Sequence, residues 1–191
     1  MYWKEHVRYI ISILIALALL VFVLILMFGG GSSKTPANNK PDMTQYIGTD
    51  AVMQLTADGP IVSEEKHQAV RISVSSSQVT YERLQGYEGA VAASQTYPSN
   101  SQAYESFVRA LSILGYDKGN DNPKLADEKG YCPTGVRYIF AIQEGTDQKQ
   151  RYWRGSCGSG TFQGTYPQIV SLFRAQVPNM SDLMRDVTFG F

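Results

Sequence analysis

The sequence predicts an α+β protein: an N-terminal transmembrane helix, then an extracytoplasmic antiparallel sheet of about six strands with two helices on one face. Three observations lead there. The segment at 9–28 is apolar almost throughout. Beyond it, short segments alternate apolar and polar residues between turn signals. Two later segments carry apolar stripes at helical spacing.

The run YIISILIALALLVFVLILMF at 9–28 is broken only by Ser12 and the bordering Tyr9. About 20 helical residues, at ~1.5 Å each, span the ~30 Å hydrocarbon core of a bilayer. A buried core helix usually keeps a polar stripe, and this run has none. A cleaved signal peptide carries a shorter apolar region of ~7–15 residues, although Gly29-Gly30-Gly31 does supply small residues at the end of this one. An uncleaved anchor is therefore expected. Lys4 and Arg8 precede the run and no basic residue follows until Lys34. Because basic flanks stay inside, residues 1–8 are expected to be cytoplasmic and the rest of the chain to lie outside.

Residues 29–48, opening GGGSSKTPANNKP, lack periodicity and read as a flexible tether. Residues 49–191 form one domain of ordinary size. Lys plus Arg and Asp plus Glu number 17 each, so no bulk charge points to a nucleic-acid partner.

Within the domain, AVMQLTAD at 51–58 alternates and ends in the turn Asp58-Gly59-Pro60. In AVRISVS, Val70, Ile72 and Val74 share one face and Arg71 and Ser73 the other. QVTYERL and AVAASQTYP follow Ser- and Gly-bearing turns and complete a four-strand meander. In SQAYESFVRALSILGY, Tyr104, Phe107, Val108, Leu111 and Leu114 make one helical stripe; Ser99, Asn100 or Ser101 supplies the cap and Gly115 the stop. DKGNDNPKLADEKG at 117–130 reads as loop, since its acidic residues lack calcium-loop spacing. TGVRYIFAI and KQRYWRGSC form a hairpin. A second helix places Tyr166, Ile169, Val170 and Phe173 on one face, and NMSDLMRDV adds a short last turn. Asn179-Met180-Ser181 has the form of a glycosylation sequon but reads as a helix cap.

Cys132 and Cys157 are the only cysteines. A hairpin turning at Glu144-Gly145 sets them opposite each other at its open end, a turn centred on Gly145-Thr146-Asp147 shifts this by a residue or two that a bulge can absorb, and outside the cytoplasm two such thiols pair. Closing that loop contributes ~3 kcal/mol in the chain-entropy model. A structural zinc site needs four ligands, and the domain adds one histidine, His67, to its two cysteines. No metal and no cofactor is expected. Ser156 and Ser159 do not make G-x-S-x-G, and GSGTFQG does not have dinucleotide-loop spacing.

The same register turns Trp153 inward and leaves Tyr152 and Arg154 outward near Arg137. An aromatic beside two guanidinium groups suits a sugar or an anionic polymer. Arg137, Tyr152 and Arg154 are accordingly the candidate surface-binding residues, with solvated strand positions as the alternative.

ADGPIV…HQAVRISVS, GYEGAV, AYESFVRALSILGY and CPTGVRYIFAI…RYWRGSCG, following an apolar N-terminal run, resemble in order a group of uncharacterised single-pass envelope proteins of Saccharibacteria-type epibiotic bacteria. The resemblance covers most of the outer domain. It implies an envelope location and a disulfide, and brings no activity with it. The expected function is a non-enzymatic envelope or cell-surface interaction module, attached to the membrane by the N-terminal helix, with a glycan or protein partner. The alternatives are a cell-wall-acting enzyme, for which no pair of glutamates is singled out by spacing, and a pilin-like subunit, whose long continuous helix the tether would interrupt.

Overall fold

The computed structural model describes residues 42–191. The expected cytoplasmic segment, the transmembrane helix and most of the tether lie outside the described residues. Among the described residues no helix is long and apolar enough to cross a membrane.

Six strands make one antiparallel sheet: β1 (Ala51–Asp58), β2 (Gln68–Val74), β3 (Gln78–Gln85), β4 (Ala90–Pro98), β5 (Arg137–Glu144) and β6 (Asp147–Gly155). Their order is β4-β3-β2-β1-β5-β6. The rest of the meander lies on one side of β1 and the late hairpin on the other, so β1 pairs with its sequence neighbour β2 on one edge and with the distant β5 on the other.

The helices are α1 (Ser101–Leu114), α2 (Tyr166–Arg174) and the one-turn α3 (Met180–Leu183). Asn100 caps α1 by accepting from the Ala103 amide at 2.9 Å, and Gly115 ends it in the left-handed conformation at φ 73°. Tyr104, Phe107, Val108 and Leu111 of α1 and Ile169, Val170 and Phe173 of α2 are buried against Met53, Leu55, Val70, Ile72, Phe140 and Ile142 of the sheet. Phe107 meets Phe173 edge-on, with ring centroids 5.0 Å apart. Tyr116, just past α1, is fully buried, and its hydroxyl lies 2.6 Å from the Gln54 carbonyl and 2.9 Å from that of Ala141. Burial drives its phenol far above the usual range and pushes that of Tyr104 up to about 12. Asn179 occupies the N-cap position of α3 in the left-handed region, without a side-chain cap bond.

Residues 42–48, read from sequence as the end of the tether, belong to the domain. Asp42 accepts from the Thr44 amide and caps a 3₁₀ turn at Met43–Tyr46, and Met43 is fully buried in the core. Its apolar residues 43, 46 and 47 lie at helical spacing, a signal too short to stand out beside the polar run before it.

Cys132 and Cys157 form a disulfide with Cα atoms 5.8 Å apart. The register that led to this pairing is corrected. Glu144 pairs with Asp147, so the turn is Gly145-Thr146, and a bulge between Ile142 and Gln143 shifts the rest of the ladder to Arg137↔Gly155. The cysteines therefore sit beyond the ladder, in the turns that follow it. Gly135 donates to the Cys132 carbonyl at 3.0 Å, and Gly158 to that of Gly155 at 3.0 Å.

The shift also exchanges the two faces of β6, because an odd displacement turns every side chain over. Tyr152 lies opposite Phe140 on the helix-covered face, and Trp153 lies opposite Ile139 on the other. Trp153 is nonetheless buried, because the segment at 117–131 folds over it. The indole Nε1 donates to the Leu125 carbonyl at 2.7 Å, and the Tyr131 ring lies 5.1 Å away.

Candidate functional site: a cleft on the uncovered sheet face

At the end of the sheet where β1 finishes and β2 and β5 begin, the face turned away from the helices holds a cleft of about 630 Å³. Ile61, Ala69, Leu84 and Ile139 give it an apolar lining, and Tyr87, Glu88 and Lys129 stand among its other lining residues. The apolar lining continues outside it. Of the five large apolar side chains exposed among the described residues, Ile61 (40%), Val62 (44%), Tyr87 (49%) and Val91 (54%) belong to this end of the sheet, and only Ile113 lies elsewhere. Val62 and Tyr87 exchange hydrogen bonds through the Tyr87 hydroxyl, and Val91 is the register partner of Leu84. An exposed apolar cluster of this kind makes the cleft a candidate contact site.

Beneath the cleft lies a charged latch. Asp58, the last residue of β1, faces Arg137, the first of β5, in register. Arg137 Nε donates to Asp58 Oδ2 at 2.7 Å and Nη2 lies 2.6 Å from the same oxygen. The guanidinium also donates to the carbonyls of Gly59, Tyr131 and Cys132, so one buried cation ties β1, β5 and the disulfide turn together. His67 Nε2 lies 2.9 Å from Asp58 Oδ1, and Nδ1 lies 3.2 Å from the Pro60 carbonyl. Tyr87 stacks on the imidazole at 3.9 Å.

An acid–histidine pair invites comparison with nucleophilic catalysis, where the second ring nitrogen must reach a nucleophile. Here that nitrogen faces a backbone carbonyl and the ring is 2% exposed. The pair joins the loop between β1 and β2 to the sheet. Across the cleft, Glu128 is bound through both carboxylate oxygens to Arg151 Nη2 at 2.6 Å, which pins the 117–131 segment to β6. Among the described residues no group of three or more His, Cys, Asp or Glu is placed to hold a metal ion.

The candidate surface residues Arg137, Tyr152 and Arg154 are not brought together. Arg137 (2% exposed) and Tyr152 (5%) are both buried, and their side chains leave opposite faces of the sheet. Tyr152 is part of the core, its ring so close to Gly119 that a β-carbon there would overlap it. Arg154 is half-buried opposite Tyr138, and its Nε is buried without a hydrogen-bond partner. The expected outward aromatic–guanidinium stack is corrected by the three-residue change in register described above.

Asp58, Ile61, His67, Tyr87 and Lys129 form the site instead, from three loops and one strand end. Asp58-Gly59-Pro60 reads as a turn and His67 as a lone histidine. The one sequence signal for the site was that two turn segments, PIV and GYEG, carry large apolar residues. No family model matches the chain, and no curated protein matches it.

Proposed function

We propose that this chain is a membrane-anchored, extracytoplasmic, non-enzymatic binding module, and that the cleft seats an apolar side chain from an envelope or cell-surface protein. The observation that carries this reading is the clustering of exposed apolar residues around a cleft that is itself lined by Ile61, Ala69, Leu84 and Ile139. Small pockets that recognise partners have this composition, an apolar interior with a few polar groups that fix orientation. Glu88 and Lys129 are the charged lining residues left to play that part. The buried ionisable groups below are engaged with one another, which supports binding over chemistry: Asp58 holds His67 and Arg137, and Glu128 holds Arg151. The apolar run at 9–28 and the resemblance to envelope proteins support the location.

The test is capture of envelope and cell-surface proteins by the full chain in detergent. Ile61→Asp places a charge in the cleft without touching the latch and should abolish specific capture. Ile113→Asp, on the far side of the domain, should leave it intact. Equal capture by both variants and the unaltered chain would remove the cleft as the binding seat.

A further inference from the structure

The two edges of the sheet are treated differently. The β6 edge carries Asp147, Lys149, Arg151 and Arg154, and its end is covered by the following segment: Thr161 and Phe162 both donate to the Trp153 carbonyl, and Gly160 bridges Arg154. Charge and cover are the usual protections of an edge strand. The β4 edge has neither. AVAASQTYP contains no charged residue, and every position except Tyr97 is exposed. Its one irregularity lies at Ala92, where the register with β3 slips between Arg83↔Ala93 and Leu84↔Val91. From Ala93 to Pro98 the strand is regular.

The backbone direction along that stretch follows from the hydrogen bonds at its ends. Gly86 donates to the His67 carbonyl and Ser75 to that of Gln78, so the even-numbered residues of β3 bond to β2. Ser99 donates to the Ser77 carbonyl, so the odd-numbered residues of β3 bond to β4. In an antiparallel ladder this leaves Ser94 and Thr96 with both N–H and C=O directed away from the sheet.

We propose that two copies of this chain join through their β4 edges, antiparallel about a two-fold axis at Gln95, so that one sheet runs through both. In this register Ser94 of each copy exchanges both backbone hydrogen bonds with Thr96 of the other, and Gln95 faces Gln95. Self-pairing suits this strand in particular. With no charge along it, no like charges meet across the axis. The charged residues nearest the strand on the helix side, Arg83, Asp182, Arg185 and Asp186, are balanced in sign and paired as Arg83–Asp186 and Arg185–Asp182. The pairing also brings Tyr97 of the second copy opposite Ala93, beside Arg83, whose Nε is buried without an acceptor. A two-fold antiparallel edge contact is closed, which makes a dimer rather than a fibre.

The experiment uses the full chain in detergent and in lipid nanodiscs. Residues facing each other in a non-hydrogen-bonded antiparallel pair have Cβ atoms ~4.5–5.5 Å apart, near disulfide range. With Cys132 and Cys157 already bonded, Gln95→Cys introduces the single free thiol. Mild oxidation should convert most Gln95→Cys protein to a covalent dimer, several-fold more than Ile113→Cys. Thr96→Pro removes an outward N–H that β3 does not use, and combining it with Gln95→Cys should abolish the dimer while circular dichroism stays native. Should the proline variant fail to fold, Thr96→Lys replaces it, with the same expected loss. Cross-linking of Gln95→Cys no stronger than that of Ile113→Cys, or undiminished by either Thr96 change, would overturn the proposal. A Ser94→Cys band stronger than the Gln95→Cys band would overturn the register.

Discussion

Arg137 Nη2 lies 2.6 Å from Asp58 Oδ2, and the two residues are register partners across the β1–β5 ladder. One is the last residue of the first strand and the other the first residue of the fifth, so the ion pair closes the junction between the meander and the late hairpin.

Removing one member of such a pair strips the other of its main partner. Arg137→Ser leaves the Asp58 carboxylate with His67 alone and takes the guanidinium from the Gly59, Tyr131 and Cys132 carbonyls, of which that of Cys132 keeps the Gly135 amide. The expected loss is about 3–5 kcal/mol, measured by denaturant unfolding. Arg137→Lys keeps a charge but not the fork, and should fall between. An Arg137→Ser variant as stable as the unaltered chain would show that the latch contributes nothing to stability.

The disulfide holds the turns beyond the hairpin; neither cysteine lines the cleft, and Cys132 meets the latch through its backbone carbonyl. Cys132→Ala combined with Cys157→Ala should therefore lower stability by ~3 kcal/mol and reduce the melting temperature. Capture of partners at temperatures well below melting should persist. Loss of capture in a still-folded double variant would move the cysteines from staple to site.

Tyr116 bridges two carbonyls from a fully buried position. Tyr116→Phe should cost about 1–2 kcal/mol at neutral pH. It should also alter the alkaline limb of the stability curve. An unfolded chain ionises its tyrosines near 10, whereas folded Tyr104 holds its proton to about 12 and Tyr116 beyond that. Stability is therefore complete below pH ~10 and falls as pH rises from there, because the unfolded state releases protons that the folded state keeps. Urea unfolding across this range should show a shallower fall for Tyr116→Phe than for the unaltered chain.

Glu128 and Arg151 form the side-chain tie between the 117–131 segment and β6. Glu128→Gln should leave the helical core intact while loosening that segment. Limited proteolysis should cut faster within 117–131, and Trp153 fluorescence should shift to the red as the indole gains water. Unchanged protection would mean that the Leu125 and Tyr131 contacts hold the segment without the ion pair.

Local signals carried much of this fold. In β2, Val70, Ile72 and Val74 are buried as their alternation requires, since Arg71 and Ser73 give the strand one polar face. The α1 stripe, its Asn100 cap and its Gly115 stop were legible for the same reason: each depends on neighbours a few residues away.

The hairpin of β5 and β6 behaved differently. RYIFAI and RYWRG are bulky on both faces, so alternation says nothing about which face is inward. A one-residue bulge and a turn placed at Gly145-Thr146 then decided where Tyr152 and Trp153 point. The segment at 117–131, polar and aperiodic, gave no sign that it would cover Trp153 and turn a solvent face into a second interior. The cleft was hidden for a related reason. Its residues come from β1, β2, β3, β5 and three loops, and none announces the others along the chain. By itself the sequence determined the six strands, the two longer helices, the Asn100 cap and Gly115 stop of α1 and the apolar N-terminal run, because these follow from short-range periodicity and chain chemistry. Only the tertiary structure decided the register of the last hairpin, which a bulge sets, and the Asp58–His67–Arg137 latch with the cleft above it, which depend on β1 taking the distant β5 as its second partner.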